Sequence, residues 1–374
     1  MIFSLEVLRA KHGDSLLLHY GDPDDPKLIV IDGGPKGVCK DALLPRLEAL
    51  RDERGGELTI ENLMVSHVDQ DHVRGVLDFA RALDQDDTLR SGFKVKTLWL
   101  DSFEDTVGDG PAISAAAGAA PAEVEGGEIA AEIASVGEAR DLRVLARKFD
   151  WPINKGFDEL VMAPDDAGVE IDLGPLKLTV VGPRAAELEE LREEWVKEVK
   201  TILKKEKSAA EVSEYLDDSV YNLSSIVCLA ELDGKRMLLT GDARGDKILL
   251  GLEAAKLLSK DKPLKVDLLK MPHHGSSRNL KPEFFERIKA PVMVISANGK
   301  DENPDLTTLE MISAACKDDE LTLCLTYSDF KEGMGPGIHK WVERETKDNP
   351  KHKVVFRPED DLSFSLDLLP PPAR

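Results

Sequence analysis

The chain has 374 residues, 42% hydrophobic and 32% charged, a composition that suits a folded globular protein and excludes disordered and fibrous classes. With 49 Lys and Arg against 71 Asp and Glu, its net charge of −22 excludes a surface that is cationic throughout, as a general nucleic-acid or anionic-lipid binder would need. A local basic groove is compatible with that total. The four cysteines, Cys39, Cys228, Cys316 and Cys324, form no CxxC pair and read as buried thiols in a reducing compartment. Apolar runs such as 16–18 and 28–31 fall far short of a membrane span, and Glu6, Arg9 and Lys11 interrupt the N-terminal segment, against a signal peptide. A cytoplasmic protein without membrane association is the expectation.

The pattern predicts strands over 2–8, 15–20 and 27–31, separated by turns at Gly13-Asp14 and 22–26. A helix over 39–52 follows, with Leu43, Leu44, Leu47 and Leu50 on one face, and stops at Gly55-Gly56. The short apolar run Leu63-Met64-Val65 leads through polar residues into a second helix near 73–83. Such alternation indicates an α/β protein with mixed sheets. Residues 108–137 are rich in Ala, Gly and Glu and lie in an insertion spanning about 105–165, read as a weakly specified surface helix, with a lid as the alternative.

A strand over 176–181 ends at Gly182-Pro183. The charged helix after it has Leu188, Leu191, Trp195, Val199 and Ile202 on one stripe, Glu at its start and Lys at its end, a polarity that suits the helix dipole. It reads as a solvated amphipathic helix, with a partner surface as the alternative. Strands over 225–231 and 236–240 flank Asp233-Gly234, a strong hairpin signal, and further strands are expected over 266–270, 292–296 and 321–326. The whole chain, 1–374, is read as a single domain in two sheet-rich halves, about 1–170 and 171–374.

Chemistry concentrates in Ser66-His67-Val68-Asp69-Gln70-Asp71-His72, between a strand and a helix. Imidazole and carboxylate are good ligands for divalent transition metals, and four such groups crowded together would repel without a cation. An acidic loop capping a helix would explain the aspartates but neither histidine. The second signal is Met271-Pro272-His273-His274-Gly275-Ser276, again after an apolar strand. One ligand plus one acid–base or hydrogen-bonding partner is a natural division between adjacent histidines. A third signal is the strand ending in Thr240-Gly241-Asp242.

The string SHVDQDH resembles the HxHxDH signature of the metallo-β-lactamase fold. More narrowly, the chain resembles the hydrolase domain of ComEC/Rec2-type DNA-uptake channel proteins and its free-standing bacterial relatives. Six segments carry the likeness in order: His12-Gly13-Asp14-Ser15, Ile31-Asp32-Gly33-Gly34, the 67–72 cluster, Asn222-Leu223-Ser224-Ser225, Thr240-Gly241-Asp242, and Pro272-His273-His274-Gly275-Ser276. The resemblance implies an αββα sandwich with two divalent metal ions, Zn²⁺ or Mn²⁺, at one edge. It assigns His67 and Asp69 to one metal, Asp71 and His72 to the other, Asp242 as a bridge, and one of His273 and His274, preferably His274, to the second site. Asp71 and His273 are then the catalytic candidates, and Asp32 supports the ligands.

Three departures stand out. Asp69 occupies the position of the signature's second histidine, and no histidine lies between His72 and His273. Asn303-Pro304-Asp305 stands where uptake-channel relatives often carry His-Pro. Asn222, Asp218 or water would have to complete the first site, which is therefore oxygen-rich and expected to suit Mn²⁺ better than Zn²⁺. The leading reading is a metal-dependent hydrolase of an anionic phosphodiester, nucleic acid or nucleotide among the candidates. The alternative is a metal-stabilised or degenerate scaffold working with a protein partner. Lys265, Lys270, Arg278, Lys281, Arg287 and Lys289 form a local basic stretch suited to guiding an anion, or simply a soluble surface.

Overall fold

Residues 1–101, 128–190, 193, 221–328 and 335–369 are described in the computed structural model. Asp218, the first part of the Ala/Gly-rich stretch and all but the start of the charged helix lie outside the described residues.

Two sheets stack face to face. The first runs in the order Ser363–Leu369, Ile2–Leu8, Leu16–Asp22, Asp25–Ile31, Asn62–Met64, Leu98–Trp99. Its first four strands pair antiparallel and its last two join in parallel. The second repeats that plan: Val169–Leu173, Leu176–Gly182, Val227–Leu232 and Lys235–Leu239 form an antiparallel meander. Leu268–Lys270, Val292–Ile295, Leu321–Leu325 and His352–Phe356 then add in parallel. Parallel strands need crossovers, and helices supply them.

Alternation of side chains decides what each face meets. Phe3, Leu5, Val7, Leu18, Ile29 and Ile31 point inward, onto Leu178, Val180, Ala230, Met237 and Leu268 of the other sheet. Leu17, Leu28, Val30 and Leu63 point outward, where Leu47, Val73, Val76, Leu77 and Ala80 of two helices cover them. Leu229, Leu238, Leu269, Met293 and Leu323 are covered likewise by Ile248, Leu252, Phe284, Leu309 and Ile312. Burial on both faces is why these strands read as continuous apolar runs. The four layers make the αββα sandwich that the resemblance to the metallo-β-lactamase fold implies.

Part of the Ala/Gly-rich insertion belongs to the core. Within the supposed surface insertion, the helix Glu128–Lys148 packs on the helix Gln70–Gln85, with Ala139, Leu142 and Ala146 fully buried. Arg74 donates to Glu138 across the contact at 2.6 Å. Small alanines at a close helix contact give little amphipathic signal. The C-terminal strand Ser363–Leu369 crosses back to pair with Ile2–Leu8 of the first sheet. The four cysteines are buried and free, and among the described residues no helix is long and apolar enough to cross a membrane.

Candidate metal centre

Five strand ends deliver the polar cluster. Asp32 follows Asp25–Ile31, and Ser66–His72 follow Asn62–Met64. Asp242 follows Lys235–Leu239, His273 and His274 follow Leu268–Lys270, and Ser296 follows Val292–Ile295. Asp69 is the N-cap residue of the helix Gln70–Gln85 but spends no side-chain hydrogen bond on capping, so its carboxylate is free for other duty. Helix geometry then puts Asp71 in the first turn at the mouth and turns His72 fully inward.

The close approach of two glycines sets the depth of that helix. A Cβ on Gly75 would lie 1.8 Å from the Gly33 carbonyl oxygen, and one on Gly33 would lie 2.2 Å from the Val76 nitrogen. The turn carrying Asp32 therefore sits directly on the helix, and Asp32 reaches His72. Its Oδ2 accepts from His72 Nδ1 at 2.9 Å and from Ser66 Oγ at 2.7 Å, while Oδ1 accepts from the Ser66 amide at 2.7 Å.

These bonds fix tautomers. With its Nδ1 proton given to Asp32, His72 presents an Nε2 lone pair to the cluster. His274 donates from Nδ1 to the Ser296 carbonyl at 2.9 Å and likewise presents Nε2, 3.3 Å from that of His72. Asp242 Oδ2 lies 3.4 Å from His72 Nε2, 3.2 Å from His274 Nε2, 3.9 Å from His273 Nε2 and 4.0 Å from His67 Nε2. Asp71 Oδ2 is 3.2 Å from His274 Nε2 and 3.7 Å from His72 Nε2. On the other side, Asp69 Oδ2 is 3.2 Å from His67 Nε2. Asp71, His72, Asp242 and His274 offer ligand atoms within 4.8 Å of one another, a spacing one ion can bridge.

Two buried atoms on the metal side, His67 Nε2 and Asp69 Oδ1, make no hydrogen bond, which is costly unless a cation takes up the lone pairs. Facing imidazole lone pairs beside carboxylates demand positive charge, and in the protein alone protons supply it. Burial would lower the pKa values of His72 and His274, but the neighbouring aspartates outweigh it, raising His72 well above its usual value and His274 to about 10. Burial would raise Asp71 and Asp242, yet the same histidines hold both below the ordinary carboxylate range. The donor set therefore fits a divalent ion.

His273 behaves differently. Its Nδ1 accepts from Asn279 Nδ2 at 2.7 Å, with Asn222 Nδ2 at 3.4 Å, so the proton stays on Nε2. Burial keeps its pKa below the usual value. Asn222 thus turns its amide nitrogen towards His273, while its Oδ1 is buried without a hydrogen bond.

The structure brings together His67, Asp69, Asp71, His72, Asp242, His273 and His274, with Asp32 and Asn222 behind them. It also removes Lys270 from the basic surface stretch. The Lys270 side chain is 1% exposed, ion-paired with Asp14, and 3.8 Å from Asp242 Oδ1. Burial would lower its pKa, but Asp14 and Asp242 raise it, so the ammonium stays charged. Arg287 and Lys289 are also committed, to Glu253 and the Ala315 carbonyl. His12 was not singled out as a site residue. Burial lowers its pKa to about 4, against the pull of Asp71, and its Nε2 lies 3.2 Å from Lys300 Nζ. Its place beside Gly13-Asp14 in the motif is the only signal the sequence offers.

No sequence-family description matches the chain, and no curated protein does. Among solved structures, one from Parabacteroides distasonis, provisionally described as a metal-dependent hydrolase, is similar at 10% identity and a TM-score of 0.37, covering 86% of this chain and 93% of its own. A variant of the CmlA β-hydroxylase is similar at 12% identity and a TM-score of 0.38, covering 97% of this chain, which spans 54% of CmlA's length. Scores this low carry no argument about activity, and the fold assignment stands on this chain's own four layers.

Proposed function

We propose that this chain is a metal-dependent hydrolase acting on phosphodiesters, related in its site to the ComEC/Rec2-type hydrolase domain. One observation carries the reading: four imidazoles surround a single carboxylate oxygen of Asp242, with two further aspartates alongside. Asp71, His72, Asp242 and His274 would hold one ion, and His67, Asp69 and Asp242 a second, more oxygen-rich one. Divalent ions bound there supply Lewis acidity at a phosphoryl oxygen and lower the pKa of water.

The chain's own groups do the remainder. Asp32 and the Ser296 carbonyl hold His72 and His274 with Nε2 facing inward. His273 keeps a proton on Nε2, directed at the same space, and suits donation to a leaving oxygen. Lys300 beside His12 adds a cation at the rim for an anionic substrate.

Elemental analysis of chelator-free protein, followed by a phosphodiester panel with added Mn²⁺ or Zn²⁺, tests the proposal. We expect one ion held through purification, a second that must be supplied, and turnover abolished by Asp71→Ala or Asp242→Ala. Protein that binds neither metal, and gains no thermal stability from either, would favour the scaffold reading instead.

A further inference from the structure

Lys270 has no part in the metal-dependent reading, although the inference drawn from it rests on that reading. The residue ends the strand Leu268–Lys270, two positions before the turn that carries His273 and His274. Its ammonium has three neighbours: the Asp14 carboxylate, the Gly241 carbonyl at 3.3 Å and Asp242 Oδ1 at 3.8 Å. A fixed cation deep beside a centre that must collect cations weakens their binding by repulsion, so its presence needs a reason. An ion pair tying two loops together would need Asp14 alone.

The orientation of Asp242 supplies the reason. Its Oδ1 faces the ammonium and makes no hydrogen bond, while its Oδ2 lies 3.2–4.0 Å from the four imidazole nitrogens. A carboxylate free to rotate can chelate one ion through both oxygens. With one oxygen drawn towards Lys270, only the other is presented to the histidines. It is then shared between the His67/Asp69 side and the Asp71/His72/His274 side.

We propose that Lys270 is a positioning residue of the metal centre: it fixes the rotation of Asp242 so that a single oxygen serves both halves of the site. Through Asp14 it also ties the Gly13-Asp14 loop, whose Asp14 amide donates to the Asp71 carbonyl at 3.3 Å, to the same anchor.

Co²⁺ titration of the chelator-treated protein separates this role from a purely electrostatic or structural one. Visible absorption reports coordination, and thermal melting in EDTA reports folding. Lys270→Met and the charge-balanced pair Asp14→Asn with Lys270→Met are compared with wild type. We expect both to bind the more weakly held Co²⁺ at least tenfold less tightly and to change the absorption of the tighter one, as Asp242 rotates to chelate it. Tighter Co²⁺ binding with an unchanged spectrum would overturn the proposal, because simple loss of a repelling charge predicts that result. Wild-type affinity and spectrum in either folded variant would also overturn it. Should Lys270→Met not fold, the double variant decides, since it leaves no unpaired buried charge; if that fails to fold too, Lys270 holds the fold rather than the centre and the proposal falls. Wild-type protein that binds no Co²⁺ would instead defeat the metal-dependent reading itself.

Discussion

Removing the Asp32 carboxylate tests how far the centre depends on the groups behind it. Asp32 is 1% exposed and accepts three hydrogen bonds, from the Ser66 amide, the Ser66 hydroxyl and His72 Nδ1. In Asp32→Ala all three donors stay buried. Each unsatisfied buried group costs about 1–3 kcal/mol, and partial rescue by the neighbouring His67 Nδ1, 3.1 Å from Ser66 Oγ, leaves a net loss of about 3–6 kcal/mol. Asp32→Asn keeps the volume and the left-handed backbone, which asparagine tolerates, but its amide cannot accept from every donor; about 1–3 kcal/mol is expected. Urea denaturation in EDTA measures this term without metal. The second consequence is freedom of the His72 ring, for which loss of an orienting partner typically lowers metal affinity about 10–100-fold. Competition titration with a chromophoric chelator reads that separately. Asp32→Ala within about 1 kcal/mol of wild type, with unchanged metal affinity, would refute the reasoning.

Three further outcomes follow from the same geometry. Gly75→Ala should cost about 3 kcal/mol or more, because its Cβ would lie 1.8 Å from the Gly33 oxygen, and calorimetry checks it. His274→Ala should lose bound metal on elemental analysis, whereas His273→Ala should keep it and lose turnover, as the Asn279 hydrogen bond to His273 Nδ1 implies. At the far end of the first sheet, burial would raise the Glu6 pKa, but hydrogen bonds from His19, Arg46 and Ser363 outweigh it and lower the value from 4.5 to about 2. A depressed carboxylate stabilises the fold above its unfolded pKa, and that contribution, about 3 kcal/mol, is lost as pH falls from 4.5 through about 2. Glu6→Gln should therefore flatten the stability profile across that window, as urea midpoints against pH would reveal.

The ligand-bearing segments were legible because each is a short motif at the end of an apolar strand, a local signal. The strands themselves were legible for the same reason, to within one or two residues over most of both sheets. Lys270 was misread because charge alone suggests a surface, and its burial depends on Asp14, which lies on the other sheet's first turn. Nothing in the neighbourhood of either residue announces that pairing. Asn222, a candidate ligand, lies on the turn Tyr221–Ser224 with its amide nitrogen 3.4 Å from His273 Nδ1 and its Oδ1 buried without a hydrogen bond, an orientation invisible in residue type. The strand Ser363–Leu369 does alternate, with Phe364, Leu366 and Leu368 on one side, but its partner strand lies at the opposite end of the chain.

Backbone conformation helps to aim three of the polar side chains. Asp32, His273 and His274 all adopt positive φ, at 59°, 46° and 52°, where residues other than glycine are uncommon and Asn, Asp and His are the enriched exceptions. Such residues cost of order 1–3 kcal/mol each, a large share of a stability of about 5–15 kcal/mol. Each lies on the turn leaving a parallel or edge-joining strand, and each side chain is held by a specific partner: Ser66 and His72 for Asp32, Asn279 for His273, the Ser296 carbonyl for His274. Positive φ also occurs at Lys11, Asp150, Asn154, Asp233, Lys256, Asp301 and Glu302, so what sets these three apart is the polar group each directs at the centre. Each of these side chains is fixed from within its own half, but Asp71 and His72 of the first half meet Asp242 and His274 of the second within 4.8 Å, so neither half could assemble the centre without the other.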